Sequence, residues 1–169
     1  MLSEKLENSL NDQINFEFYS AHIYLSMAAY CLGMDLDGFA NFFTVQAEEE
    51  KFHAMRFFNY VNQKEGKIIL KGMPNPSVDF KSALDVFETA LSHEKIVTNK
   101  IYNLSDIAME EREHATLSLL KWFIDEQVEE ENTLTTIIKK IKRMDKDSAA
   151  LYMLDTELAA RVFVPPVIA

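Results

Sequence analysis

Apolar residues recur along this chain in alternating steps of three and four, the period of helices that bury one face. Four long stripes follow that period. The first is Leu10, Ile14, Glu17, Ala21, Tyr24, Ala28; the second is Phe39, Phe43, Gln46, Glu50, His53, Phe57, Tyr60. The third is Ala83, Phe87, Ala90, Glu94, Val97, Ile101, Leu104, Ala108, and the fourth Leu120, Phe123, Gln127, Glu130, Leu134, Ile137, Ile141. Ser3 is a suitable N-cap for a first helix to about Leu32, which Gly33 ends before the tight connection Asp35-Leu36-Asp37-Gly38. A second helix then reaches about Gln63, and so short a link makes the pair antiparallel neighbours.

Residues 64–81 break the pattern, with Gly66, Gly72 and the helix-stopping Pro74-Asn75-Pro76. Fully extended, this linker spans up to roughly 60 Å, whereas a helix of about 27 residues is roughly 40 Å long. It therefore reads as a crossover along the bundle that makes helices 2 and 3 parallel, not as a domain boundary. Ile68-Ile69-Leu70 is expected as a short extended surface piece and a candidate subunit contact. Ser82 caps a third helix to about Met109 or Glu110. A polar corner at Glu110-Glu111-Arg112-Glu113 leads to a fourth helix ending near Met144. After a break at Asp145-Lys146-Asp147-Ser148, a short fifth helix is expected over about 147–163. Its apolar side, Leu151, Leu154, Leu158 and Val162, looks for cover from other subunits. The expectation is one all-α domain over 1–169, a four-helix bundle at about 3–144 plus a short C-terminal helix.

Each stripe carries a polar interruption near its midpoint. Glu50 and His53 lie about 60° apart on one helical face, a spacing that lets both reach one metal ion. Alone, Glu-x-x-His is a weak signal. Here Glu17, Glu94 and the pair Gln127-x-x-Glu130 interrupt the other three stripes. Glu17 and Glu50 are 33 residues apart, and so are Glu94 and Gln127, as for two helix pairs of one plan. Buried carboxylates cost several kcal/mol per ion unless a positive charge compensates, and no Lys or Arg sits on these stripes. Two divalent cations would balance the four charges of Glu17, Glu50, Glu94 and Glu130. One such Glu is most simply a solvent-facing residue at a misjudged phase; four at matching depth are not.

The net charge of −10 argues against nucleic acid or an anionic membrane as a partner and favours cations. The single cysteine, Cys31, excludes an internal disulfide or a thiolate cluster. No apolar run approaches membrane length, and the start of the chain lacks the plan of a signal peptide. A cytoplasmic location is the expectation. Glu111-x-x-His114 repeats the ligand spacing but falls at the polar corner and reads as solvated. His22, His93 and Cys31 read as structural.

The bundle with one Glu from each of two helices and Glu-x-x-His on others resembles the carboxylate di-iron class. The resemblance is nearest to the bacterial non-haem ferritins and covers almost the whole chain, on Glu17, Tyr24, Glu50-x-x-His53, Glu94, Trp122 and Glu126-Gln127-x-Glu129-Glu130. Bacterioferritin, rubrerythrin and the di-iron oxygenases would show a second Glu-x-x-His where Gln127-x-x-Glu130 stands. Phe52 occupies the position of bacterioferritin's haem-ligating Met, so no haem is expected. The resemblance implies a ferroxidase that stores iron as ferric oxide-hydroxide inside a homo-oligomeric, 24-subunit cage. Two Fe per subunit would be oxidised as substrate by dioxygen or hydrogen peroxide. Glu17, Glu50 and His53 would hold one iron, with Glu50 bridging, and Glu50, Glu94 and Glu130 the other. Gln127 would belong to the metal site as a neutral amide that holds a water or the dioxygen-derived species. Tyr24 would hydrogen-bond a ligand or donate an electron, against the plainer alternative of a core tyrosine. Trp122 reads as packing near the site. Glu49, Glu126 and Glu129 would form a third iron site toward the cavity, against the plainer reading of a solvated acidic face. The rival function is a di-iron redox enzyme, peroxidase- or oxygenase-like, that retains its metal; the missing second histidine argues against it. A bundle that binds partners without metal is disfavoured by the matched carboxylates.

Overall fold

The computed structural model describes residues 1–144 and 147–166. Five helices follow in order: α1 Glu4–Leu32, α2 Asp37–Gln63, α3 Ala83–Glu110, α4 His114–Met144 and α5 Ser148–Ala159. The caps are those expected: Ser3 Oγ accepts from Leu6 N–H at 3.1 Å and Ser82 Oγ from Asp85 N–H at 3.2 Å. Gly33, read as the terminator of α1, has φ −65 and uses none of its freedom; the chain reverses at Asp35, φ 57. Of the expected break between α4 and α5, Asp145 and Lys146 lie outside the described residues.

The long linker runs as a crossover, and side chains of α1 hold it. Asn11 accepts from Ile69 N–H at 2.7 Å and donates to Lys67 C=O at 2.8 Å. One turn on, Asn15 accepts from Lys71 N–H at 2.6 Å and donates to Ile69 C=O at 2.8 Å. Farther up α1, Ser26 donates to Ser77 C=O, and Tyr30 packs on Phe80. Contacts that advance from Asn11 to Tyr30 as the linker advances from Lys67 to Phe80 carry it back along α1. Helices α2 and α3 are therefore parallel, and α1 packs antiparallel to both.

The stripes face inward and form two apolar clusters. One includes Tyr24, Phe39, Phe43, Phe87 and Leu134; the other includes Leu10, Ile14, Phe57, Ile101 and Phe123. The polar interruptions lie between them. Helix α5 corrects two expectations. Its buried Leu154 and Leu158 join the first cluster, so the chain's own bundle, not another subunit, covers them. It also ends at Ala159 rather than near 163, and Val162 is exposed. Asn41 of α2 is the physical reason, because its Nδ2 donates to the carbonyls of Leu158, Ala159 and Arg161 and closes the helix end. In return, Asp155 of α5 accepts from Phe39 N–H at 3.0 Å and caps α2, which has no cap of its own.

These reciprocal caps need Gly38. A Cβ there would stand 1.7 Å from the Asp155 carbonyl oxygen. Gly38→Ala is therefore expected to unseat α5 at a cost of about 1–3 kcal/mol. Thermal melting should drop by several degrees and cleavage near α5 by a protease should accelerate. Gly72→Ala, where an added Cβ meets nothing within 4 Å, should do neither.

Candidate metal centre

Between the two clusters, the four stripes bring six polar side chains to one level. Glu17, Glu50 and Glu94 are fully buried, His53 and Gln127 are 2% exposed and Glu130 is 8% exposed. Ligand-capable atoms of Glu17, Glu50 and His53 lie within 4.8 Å of one another, and so do those of Glu50, Glu94 and Glu130. The two triples share Glu50. A third triple, His53, Glu126 and Glu130, adjoins them through residues common to each.

The hydrogen bonds are unevenly distributed. Gln13 donates to Glu17 Oε1 at 2.8 Å. Tyr24 donates its hydroxyl to Glu94 Oε1, and Gln127 Nε2 donates to Glu94 Oε2 at 2.9 Å and to Thr98 Oγ1 at 3.3 Å. Both oxygens of Glu50 and of Glu130, and Oε2 of Glu17, have no donor although buried. Such atoms are costly unless a proton or a cation meets them. Burial, set against the lowering effects of the adjacent Glu50 carboxyl and of the Gln13 hydrogen bond, lifts the Glu17 carboxyl to about 7. Burial followed by repulsion among the acids raises Glu50 and Glu130 well above the carboxylate range. Burial, with the charge of Arg56, pushes His53 down to about 3, so its imidazole is neutral and ready to ligate. Burial first, then the charges of Glu94, Glu50 and Glu130, raises Tyr24 and keeps it a phenol that donates.

Aromatic rings wall the layer. Phe43 stacks on Tyr24 at 6.1 Å, Phe57 on Phe123 at 4.0 Å, and His53 meets the edge of Trp122 at 5.5 Å. The guanidinium of Arg56 lies 4.0 Å over Trp122. Carboxylate oxygens with one imidazole, in two triples sharing a carboxylate, suit a pair of first-row divalent ions such as Fe(II), Mn(II) or Zn(II).

A family model for the ferritin-like domain matches residues 7–144. The chain belongs to the ferritin family. It is 47% identical over 163 residues to a bacterial non-heme ferritin of Staphylococcus aureus, covering 96% of this chain and 98% of that one. The corresponding Staphylococcus haemolyticus protein is 46% identical over the same span. Among solved structures, the open-pore ferritin of Archaeoglobus fulgidus superposes with a TM-score of 0.95 at 41% identity, covering 96% of this chain and all of that one. An engineered closed form of it gives a TM-score of 0.95 at 42% identity.

The acids expected to form a further site divide. Glu126 falls in the triple with His53 and Glu130, half-buried beside the pair of central triples. Glu49 is held by Arg161 at 2.5 Å, and Glu129 is exposed. All three border one small cavity. Glu111 and His114 are exposed at the corner, where Glu111 accepts from Ser3 and neighbouring Glu113 pairs with Lys64. Sequence reasoning missed Gln13, Arg56 and Arg161. Gln13 lies one turn before Glu17, a position that suggests its role in hindsight; Arg161 follows α5 in non-helical chain and has no periodic signal.

Protonated carboxyls must lose protons before they ligate, so the site's affinity should rise with pH. Zn(II) binding to metal-free protein at pH 7 should release protons, because burial lifts Glu17 to about 7 and raises Glu50 and Glu130 well above the usual carboxylate range. Calorimetry in two buffers of different ionisation enthalpy measures the number. The same heat in both would contradict a protonated metal-free site.

Proposed function

We propose that this chain stores iron and oxidises it on entry, with the mid-bundle layer as a ferroxidase centre. The observation that carries the proposal is the pair of carboxylate triples sharing Glu50 with no protein cation among them. Among the described residues, no Lys or Arg forms an ion pair with Glu17, Glu50, Glu94 or Glu130, and the His53 beside Glu50 is neutral. A buried charge deficit of that size fits two divalent ions and little else.

In this proposal Glu17, Glu50 and His53 hold one Fe(II), Glu50 bridges, and Glu94 and Glu130 complete the second. Each Fe(II) gives one electron to dioxygen or hydrogen peroxide. Tyr24 and Gln127 orient Glu94 through the bonds described above, and Gln127 adds no charge. With one imidazole in the pair, the ions are held weakly enough to move on, so iron is substrate rather than a resident group. The same argument separates this function from that of a redox enzyme that keeps its metal. Haem plays no part, since Phe52 packs on Trp122 and Phe163 and offers no ligand atom. Ferric oxide-hydroxide would then collect in a homo-oligomeric shell, for which family membership supports 24 subunits. No described helix is long and apolar enough to cross a membrane, and the lone buried Cys31 suits the reducing cytoplasm.

Gel filtration after aerobic addition of Fe(II) in large excess tests shell and storage together. Iron should co-elute with a particle far larger than one 19.5 kDa chain. Elution as a monomer or dimer free of iron would refute storage. His53→Ala removes the only imidazole of the centre, and loss of a ligand should slow the first oxidation by about tenfold or more, as disturbed ligand shells do. Stopped-flow absorbance would report it, and an initial rate equal to that of the unaltered protein would remove His53 from the centre.

A further inference from the structure

The chain segment after α5 returns to the bundle and places one cation over the acids at the edge of the metal layer. Arg161 Nη2 donates to Glu49 Oε2 at 2.5 Å, and Nη1 donates to Gln46 Oε1 at 2.9 Å and to Phe42 C=O at 3.3 Å. Its guanidinium carbon lies 4.4 Å from the centre of the Phe42 ring. Asn41 Nδ2 fixes the Arg161 carbonyl at 2.9 Å. This is a built position, with the backbone and both ends of the guanidinium engaged.

Gln46, Glu49, Glu126, Glu129, Glu130 and Arg161 border a cavity of about 40 Å³, room for an ion with a water or two. Acids alone would not make it a metal site. Glu130, however, reaches it with both carboxylate oxygens buried and without a donor. Glu130 and Glu126 also form a ligand-capable triple with His53. The cavity is thus continuous with the polar layer through Glu130, and Arg161 lines it as well.

We propose that Arg161 is the internal counter-cation of this cavity and a positioning residue for metal transit. It engages Glu49 while the cavity holds no metal, and a divalent ion arriving from the layer must displace it. It thereby weakens the third metal position and hastens the ion's onward movement. This rests on the di-iron function proposed above and adds the residue that sets how long metal stays at its exit. Displacement is feasible because the side chain leaves non-helical backbone that Asn41 continues to hold.

The test uses the assembled full-length protein, Zn(II) as the probe and calorimetry as the readout. Arg161→Gln keeps hydrogen-bond donors but removes the charge, and Arg161→Lys keeps the charge. Without a unit positive charge a few ångströms away, the third equivalent of Zn(II) should bind at least about tenfold tighter in Arg161→Gln. It should bind as in the unaltered protein in Arg161→Lys. With Fe(II), the glutamine variant should recover its capacity for a second round of oxidation severalfold more slowly, because the third ion lingers. A merely structural arginine would give the opposite sign, weaker binding with a lower melting temperature. A third equivalent no tighter in Arg161→Gln than in the unaltered protein, whatever the melting temperature, overturns the proposal. Failure of the unaltered protein to bind two equivalents ahead of the third overturns the di-iron function itself, which is a separate outcome.

Discussion

Four carboxylates buried at one level of a helical bundle are the constraint around which the rest of this structure is arranged. Each would cost several kcal/mol as an isolated ion, and among the described residues no Lys or Arg pairs with them. The chain offers instead a division of labour. Gln13, Tyr24 and Gln127 give their donors to Glu17 and Glu94, which are thereby aimed before any ion arrives. Glu50 and Glu130 receive none and are left bare. The aimed acids fix the geometry, and the bare ones supply the electrostatic demand. In the proposed function, protons meet that demand in the absence of metal and would exchange for divalent cations.

Topology makes the level possible. Glu50 on α2 and Glu94 on α3 bring their carboxylates together across the bundle, and the parallel run of those two helices requires a connection the length of the bundle. Such a connection is extended chain with unpaired backbone groups, and Asn11 and Asn15 pair them as a neighbouring strand would. Helix α5 is fixed by a similar economy, with Asn41 closing its end and Asp155 closing the start of α2.

What the sequence disclosed follows from what periodicity measures. A period reports which face of a helix is buried, so the four stripes, their interruptions and their common level were legible, and with them Glu17, Glu50, His53, Glu94, Gln127 and Glu130. Capping Ser3 and Ser82 were legible because a cap is local. Contacts between segments remote in sequence have no such signature. Nothing near Arg161 announces Glu49, and nothing near Asp155 announces Phe39 N–H. The apolar side of α5 alone therefore points to other subunits for cover, whereas the chain's own bundle supplies it. Gly33 and Gly38 show the same limit from the other side: Gly33 does stand at the end of α1 but in a backbone conformation any residue adopts, whereas Gly38 inside α2 is required by a carbonyl more than a hundred residues away.

The polar layer also divides the hydrophobic interior in two. Apolar clusters above and below it share helices but are separated by groups that repel one another when ionised. In the metal-free chain the helices and a few hydrogen bonds, from Gln13 to Glu17 and from Tyr24 and Gln127 to Glu94, are what join one half to the other. A pair of metal ions bound at that level would turn the joint into a rivet. Cargo would then do for each subunit what a continuous core does for other bundles, joining two half-domains into one folding unit while it passes through.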